Sequence, residues 1–302
     1  MVRRRGLVIS VMLGCAIHAV AENIVFSDAN VKALCIANWD DDGDGELSID
    51  EAAAVTSLGR VFREKTDIRC FNELKYFTGL GSIDDYAFYK SSLETLVLPP
   101  TVTLIGDYAF SQSNISGEMV IPGTVKNIGD YSFYSCQKLT SVILEEGVET
   151  VGWHAISGPV SVLSLPSSLT SASSMFIDPY VSASSGMFIP EGDLTVVTHA
   201  EIPAAINSMA FYYVFSKAHL ICPPGSIEVY RSAAGWSKFG EYLEVGDVNR
   251  DGRLDIADVT LLIAFIQGRE HTETEARIAD VNGDGVLDGE DVEQLCQYIL
   301  GT

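Results

Sequence analysis

Basic residues are scarce in this chain. Across 302 residues, 19 Lys and Arg face 41 Asp and Glu, a formal net charge of −22 at pH 7. Three of the basic residues, Arg3, Arg4 and Arg5, sit together near the N terminus and leave the remainder more acidic still. A surface of this sign repels nucleic acid and anionic membranes, and neither is expected as a partner. Cysteine is thin and irregularly spaced. Beyond Cys15 there are Cys35, Cys70, Cys136, Cys222 and Cys296, an odd number with no CxxC pair. That argues against a disulfide framework or a zinc site and favours buried thiols acting as small hydrophobes, with a Cys35–Cys70 bridge left open. Long apolar runs are missing after residue 21, so no transmembrane segment is expected. Catalytic signatures are missing as well. There is no HExxH, no GxSxG and no phosphate-cradling glycine loop around His199, His219 or His271. Outside the acidic loops no carboxylate pair suggests glycoside hydrolysis. The chain is expected not to be an enzyme.

Residues 1–21 are set apart by composition. The three arginines precede a short apolar run from Gly6 to Gly14, and Ala19-Val20-Ala21 is a small-x-small cleavage site before Glu22. This pattern predicts a secretory signal peptide, with a lipoprotein signal at Cys15 as the alternative. The expected location is secreted, extracellular or on the surface of a bacterium.

The acid is concentrated: three twelve-residue loops hold 16 of the 41 carboxylates. Clustered carboxylates repel one another unless a cation neutralises them, and calcium takes six to eight oxygens from fixed loop positions. In the first loop Asp40, Asp42, Asp44, Ser48 and Glu51 occupy positions one, three, five, nine and twelve. Gly45 makes the turn, Glu46 offers its carbonyl at seven, and Leu47 at eight points to the core. Apolar helical patterns flank this loop, which resembles a full EF-hand. The second loop offers Asp247, Asn249, Asp251, the Arg253 carbonyl, Asp255 and Asp258; the third offers Asp280, Asn282, Asp284, the Val286 carbonyl, Asp288 and Asp291. A single acidic turn would be read as solvated Asp/Gly chemistry. Three with glycine at six, an apolar residue at eight and an acid at twelve predict calcium.

The second and third loops are one unit written twice, in register at an offset of 33 residues. Each is read as a loop followed, not preceded, by a helix, with Val259, Leu262, Phe265 and Ile266 matched by Val292, Leu295, Tyr298 and Ile299. Residues 246–302 thereby resemble a type I dockerin. The resemblance implies a calcium-dependent module that binds a cohesin, reading it through loop residues ten and eleven. Those pairs are Ile256-Ala257 and Gly289-Glu290, which differ, and Ala264 and Gln297 stand where the family often has Lys or Arg.

Between the acidic ends runs a tandem repeat. Ile83-Asp84-Asp85-Tyr86-Ala87-Phe88 returns as Ile105-Gly106-Asp107-Tyr108-Ala109-Phe110 and Ile128-Gly129-Asp130-Tyr131-Ser132-Phe133. Weaker copies follow at Val151–Ile156, Ala172–Ile177 and Ile206–Phe211. Steps of 22 and 23 residues with one short strand per unit indicate a leucine-rich solenoid. Strand triplets around Val97, Val120, Ile143, Ser164, Phe188 and Ile221 send their outer residues inward and the central one outward, forming an apolar stripe that either binds a ligand or reflects β-propensity alone. The Tyr86, Tyr108 and Tyr131 slot, shared by His154 and Met209, reads as packing. These blocks resemble the BspA-like leucine-rich repeat family, with flanking segments over residues 24–245 that also look like that family. The resemblance implies a non-enzymatic surface protein, often adhesive.

The expected fold class is α+β: a leucine-rich repeat solenoid of short parallel strands between an EF-hand region and an all-α dockerin-like domain. The expected divisions are 1–21 leader, 22–62 EF-hand-like region, 63–245 solenoid and 246–302 dockerin-like domain. The expected function is a calcium-binding adhesion or ligand surface, for a protein or glycan held near Val97, Val120 and Ile143, tethered through a cohesin. The alternatives are an accessory part of a polysaccharide-degrading assembly and a C-terminal pair that is only a stabilising calcium cap.

Overall fold

The computed structural model describes residues 22–178, 181–183, 186–188, 194–212 and 218–301. The expected leader, with Cys15, lies outside the described residues, as does Pro190.

The repeats stack into a parallel-strand solenoid. One sheet holds six parallel strands: β1 (Ser116–Ile121), β2 (Lys138–Leu144), β3 (Val162–Leu165), β4 (Thr195–Thr198), β5 (His219–Cys222) and β6 (Glu241–Glu244). Alternation along each strand sorts the side chains, because successive Cβ atoms point to opposite faces. Met119 and Ile121, Val142 and Leu144, Leu163 and Leu165, and Leu220 and Cys222 are buried inward. The residue between each pair points out, and the register aligns Val120, Ile143, Ser164, Val197, Ile221 and Leu243 in one row. A second sheet of two-residue strands pairs Ser82–Ile83, Leu104–Ile105, Asn127–Ile128, Thr150–Val151 and Ser171–Ala172. Its inward residues Ile83, Ile105, Ile128, Val151 and Ala172 close the same core.

The row differs from expectation at its far end. Phe188 is not in it. Gly186–Phe188 pairs antiparallel with Val181–Ala183, and Val197 of β4 takes the place in the sheet. The insertion between repeats displaces the strand further along the chain than the period suggests. Val97 follows a two-residue strand, Thr95–Leu96, that pairs with Cys70–Phe71 outside the six-stranded sheet.

Each repeat turns through left-handed residues. Tyr86, Tyr108, Tyr131, His154 and Met175 all have φ between 47° and 62°. Stacking offsets the local strain this costs. Tyr86 stacks on Tyr108 at 4.9 Å and Tyr108 on Tyr131 at 4.7 Å, while Phe88, Phe110 and Phe133 stack behind them at 5.1 and 5.0 Å. The tyrosine slot is packing, as its repetition suggested. A carboxylate ladder runs beside it. The Asp107 amide donates to Asp85 Oδ1, Asp130 to Asp107 Oδ1 and Trp153 to Asp130 Oδ1, at 2.7–2.8 Å.

Residues 22–62 join the solenoid core rather than forming a separate one. Val31, Cys35, Leu47, Leu58 and Phe62 belong to one buried cluster with the repeats. Helix α1 (Ala29–Trp39) starts at Asp28, whose side chain accepts from the amides of Asn30 and Val31. The other oxygen of Asp28 accepts from the Arg69 amide at 2.6 Å, which fixes the helix to the first strand of the array. Helix α2 (Ile49–Ala54) carries a Ser48/Glu51 capping box.

Helix α3 (Ile227–Ser232) buries Tyr230 near the end of the array. Beyond β6 the chain forms α4 (Ile256–Ile266), α5 (Glu273–Ala279) and α6 (Gly289–Leu300). Helix α5 corrects one expectation, since the third acidic loop is preceded as well as followed by a helix. Its start was legible: Thr272 and Glu275 form a capping box. Val259, Leu262, Phe265 and Leu295 are buried, whereas Ile266 and Tyr298 point outward. Among the described residues no helix is long and apolar enough to cross a membrane, and Cys35, Cys70, Cys136, Cys222 and Cys296 are free thiols, so no Cys35–Cys70 bridge forms.

Candidate metal loops and interaction surface

The three acidic loops share one hydrogen-bond plan. The position-one aspartate folds the loop around its carboxylate: Asp40 accepts from the amides of Gly43 and Gly45, Asp247 from Asp251 and Gly252, and Asp280 from Gly283 and Gly285. Position three accepts from the amide at five, through Asp42, Asn249 and Asn282. Position five accepts from the amide at seven, through Asp44, Asp251 and Asp284 onto Glu46, Arg253 and Val286. The last acid closes each loop. Glu51 accepts from Asp41, Asp42 and Ser48, Asp258 from Asn249 and Asp255, and Asp291 from Val281, Asn282 and Asp288. Asp258 and Asp291 are fully buried. Glycine at position six has φ between 79° and 84° in all three loops, a left-handed turn that other residues rarely adopt.

Ser48, Asp255 and Asp288 at position nine cap the following helices. The first loop is braced from an unexpected quarter. The Ile24 amide donates to the Leu47 carbonyl at 2.8 Å and Asn23 bridges to Ser48, so residues before α1 pair with the loop's eighth position.

Electrostatics favour a cation in this geometry. Burial raises the Asp247 carboxyl, and the neighbouring charges of Asp258 and Asp251 raise it further against the backbone hydrogen bonds. Burial likewise raises Asp280, with Asp291 and Asp284 adding to it. Carboxylate oxygens gathered this tightly fit a hard divalent ion. Asp40, Asp42 and Asp44 present carboxylate oxygens within 4.8 Å of one another.

The outward row of the sheet is split. Val120 at its near end is 43% exposed, as is Val97 before it at 44%, but Val197, Ile221 and Leu243 are only 5%, 0% and 7% exposed. The latter three share a core cluster with Val248 of the second acidic loop and with Val259, Leu262, Phe265, Ile278 and Leu295 of the C-terminal helices. Ile221, expected on an open stripe, is therefore covered. Sequence periodicity shows which way a side chain points, not what comes to lie on it.

Where the helices stop, a groove of about 430 Å³ opens. Val120, Ile143, Glu118 and Glu145 line it from the sheet, and Arg277, Asp280 and Asp284 from the helical side. Ser164 Oγ and His199 Nε2 meet on its wall at 3.2 Å. Burial holds His199 below the usual histidine range, with the Glu146 charge opposing. Sequence reasoning passed over His199 because its partners come from strands and loops far along the chain.

Ile256, Ala257, Gly289 and Glu290 are all exposed, on the N-terminal turns of α4 and α6. They are not part of the seat against the sheet.

Comparison with known families agrees with this architecture. The BspA type leucine rich repeat region matches residues 66–178 in six copies, and the dockerin type I domain matches residues 245–300. No curated protein matches the chain. The chain thus carries a BspA-type leucine-rich repeat region followed by a type I dockerin domain, two modules that bind rather than catalyse.

Proposed function

We propose that this is a secreted, non-enzymatic, calcium-binding leucine-rich repeat protein. Its solenoid offers a ligand or adhesion surface, and its dockerin tethers it to a cohesin. One observation carries this reading: the dockerin is seated on the sheet through one side while Ile256, Ala257, Gly289 and Glu290 stay exposed on another. A partner can engage the C-terminal module without displacing the solenoid. Calcium occupies the dockerin loops through Asp247, Asn249, Asp251, Asp255 and Asp258, and through Asp280, Asn282, Asp284, Asp288 and Asp291. A third ion sits in an EF-hand-like loop on Asp40, Asp42, Asp44, Ser48 and Glu51. The domain division is a leader over 1–21, a capping region over 22–62, the solenoid with its closing segment over 63–245 and the dockerin over 246–302.

The solenoid ligand, a protein or glycan, sits on the open part of the row at Val120 and Ile143, together with Val97 before it. The dockerin match favours a second reading, an accessory component of a polysaccharide-degrading assembly. Capture with a purified type I cohesin, in calcium and in chelator, tests the tether: calcium-dependent retention of the full chain is expected, and none in either condition overturns it. Retained binding of cell-surface material by a folded Val120→Glu/Ile143→Glu variant overturns the ligand surface. Cohesin binding without ligand capture by the solenoid favours the accessory reading.

A further inference from the structure

The dockerin is joined to the array with almost no linker. β6 ends at Glu244, and the Gly246 amide already donates to the Ile278 carbonyl of α5 at 2.8 Å. A Cβ on Gly246 would meet Leu295 of α6 at 2.8 Å. The seat is mainly apolar, through Val197, Ile221 and Leu243, and its edge is polar, where Thr195 and Thr274 hydroxyls meet at 3.4 Å and Arg277 lies 3.9 Å from Glu118. These contacts come from α5, and the third acidic loop that follows it lines the adjoining groove. Gly283 at its fourth position has φ 77°, and a Cβ there would lie 2.9 Å from Cε1 of His199. The equivalent residue of the second loop is Arg250, with φ 59° and an exposed side chain. Both residues make the same turn, so the loop itself does not require glycine at this position. What an added side chain would meet here is the His199 ring.

Charge gives the seat a dependence on the ion. Glu118 and Glu145 on the sheet and Asp280 and Asp284 on the loop line one groove, with Arg277 as its only lysine or arginine among the described residues. An empty loop presents like charge to the sheet across that groove, and a divalent cation in the loop cancels the repulsion.

We infer that the β4–β6 face of the solenoid is a docking surface for this chain's own dockerin, and that calcium in the loop Asp280–Asp291 closes the seat. This rests on the proposal that the loop binds calcium. In the calcium form the row Val197, Ile221 and Leu243 is covered and the ligand groove has its helical wall. When calcium leaves, the dockerin lifts and the row becomes continuous with Val120 and Ile143. Linkage is reciprocal, so breaking the seat weakens the third loop's calcium affinity, by about tenfold in a typical coupling.

The test uses the full chain, with X-ray scattering and calorimetric calcium titration on the same samples. The wild type is expected to be compact in calcium and extended in chelator. Gly283→Arg is expected to stay extended at saturating calcium, and His199→Ala/Gly283→Arg to become compact again, because the obstructing ring is gone. Arg250→Gly should behave as wild type. Val197→Asp lies outside the loop and breaks the seat from the sheet side, so it should lower the third loop's affinity about tenfold. A compact Gly283→Arg, or unchanged affinity in Val197→Asp, overturns the inference. Calcium uptake with identical scattering in calcium and chelator overturns the coupling alone. A chain that takes up no calcium overturns the coupling together with the calcium reading beneath it.

Discussion

The Asp130 amide donates to the Asp107 carboxylate at 2.8 Å, across one repeat boundary. This bond explains the glycine beside it. A Cβ on Gly129 would lie 2.6 Å from Asp107 Oδ1 and 2.9 Å from the Asp107 nitrogen, and Gly106 and Gly152 are equally crowded by Asp85 and Asp130. It also explains the exception. The first repeat has Asp84 in the glycine slot; there its carboxylate accepts from the amides of Leu58 and Gly59 in the capping region.

The ladder is therefore expected to respond unequally to substitution. Gly129→Ala presses on backbone atoms that cannot move aside and should cost about 2 kcal/mol. Asp107→Ala removes a single interrepeat bond and should cost about 1 kcal/mol. Urea unfolding checks both; equal costs would contradict the account of the glycine.

Asp28 links stability to acid. Burial pushes its carboxyl up, but the amides of Arg69, Asn30, Val31 and Cys70 outweigh that and hold it below the ordinary aspartate value. A lowered carboxylate contributes stability above its unfolded pKa and loses it as pH falls through the folded one. The stability difference between wild type and Asp28→Ala should be about 1–2 kcal/mol near neutrality and shrink below about pH 4. Denaturation followed at several pH values measures it.

Calcium should stabilise both ends of the molecule. Calorimetry is expected to find three sites, and Glu51→Ala to remove the first without affecting the dockerin pair. An ion present at a thousand times its dissociation constant adds about 4 kcal/mol per site. Because α1, the loop and α2 share the solenoid core, chelation should lower the melting temperature of the array as well as the dockerin. A solenoid melting point indifferent to chelator would separate the cap from the core.

Thiol chemistry should divide the cysteines. Burial raises Cys136 to about 12 and Cys222 to about 11, and pushes Cys35 up as well, with the Glu73 charge adding to it. All three are buried, whereas Cys70 and Cys296 are partly exposed. An alkylating reagent at pH 8 should label Cys70 and Cys296 and spare the others, as mass spectrometry can show.

Much of this was legible along the chain. Leu98, Met119, Ile121, Val142 and Leu144 alternate with outward residues because a strand has a period of two, and the buried faces followed that pattern. The acidic loops were legible because their geometry is local: their carboxylates bond amides within the same twelve residues, as Asp280 does with Gly283 and Gly285 and Asp291 with Val281. Where an insertion interrupted the period, the pattern chose Phe188 over Val197, since a period cannot count across an irregular segment.

The sequence alone determined the repeat, the inward faces of its strands and the three acidic loops, because these depend on spacing and on bonds between near neighbours. Tertiary structure decided the rest. It covered Val197, Ile221 and Leu243 with the dockerin, left Val97 and Val120 exposed, and set the His199 ring against Gly283. Those outcomes depend on how two apolar surfaces from separate stretches of the chain come together. No local period encodes that choice; burial of apolar area across the whole chain makes it.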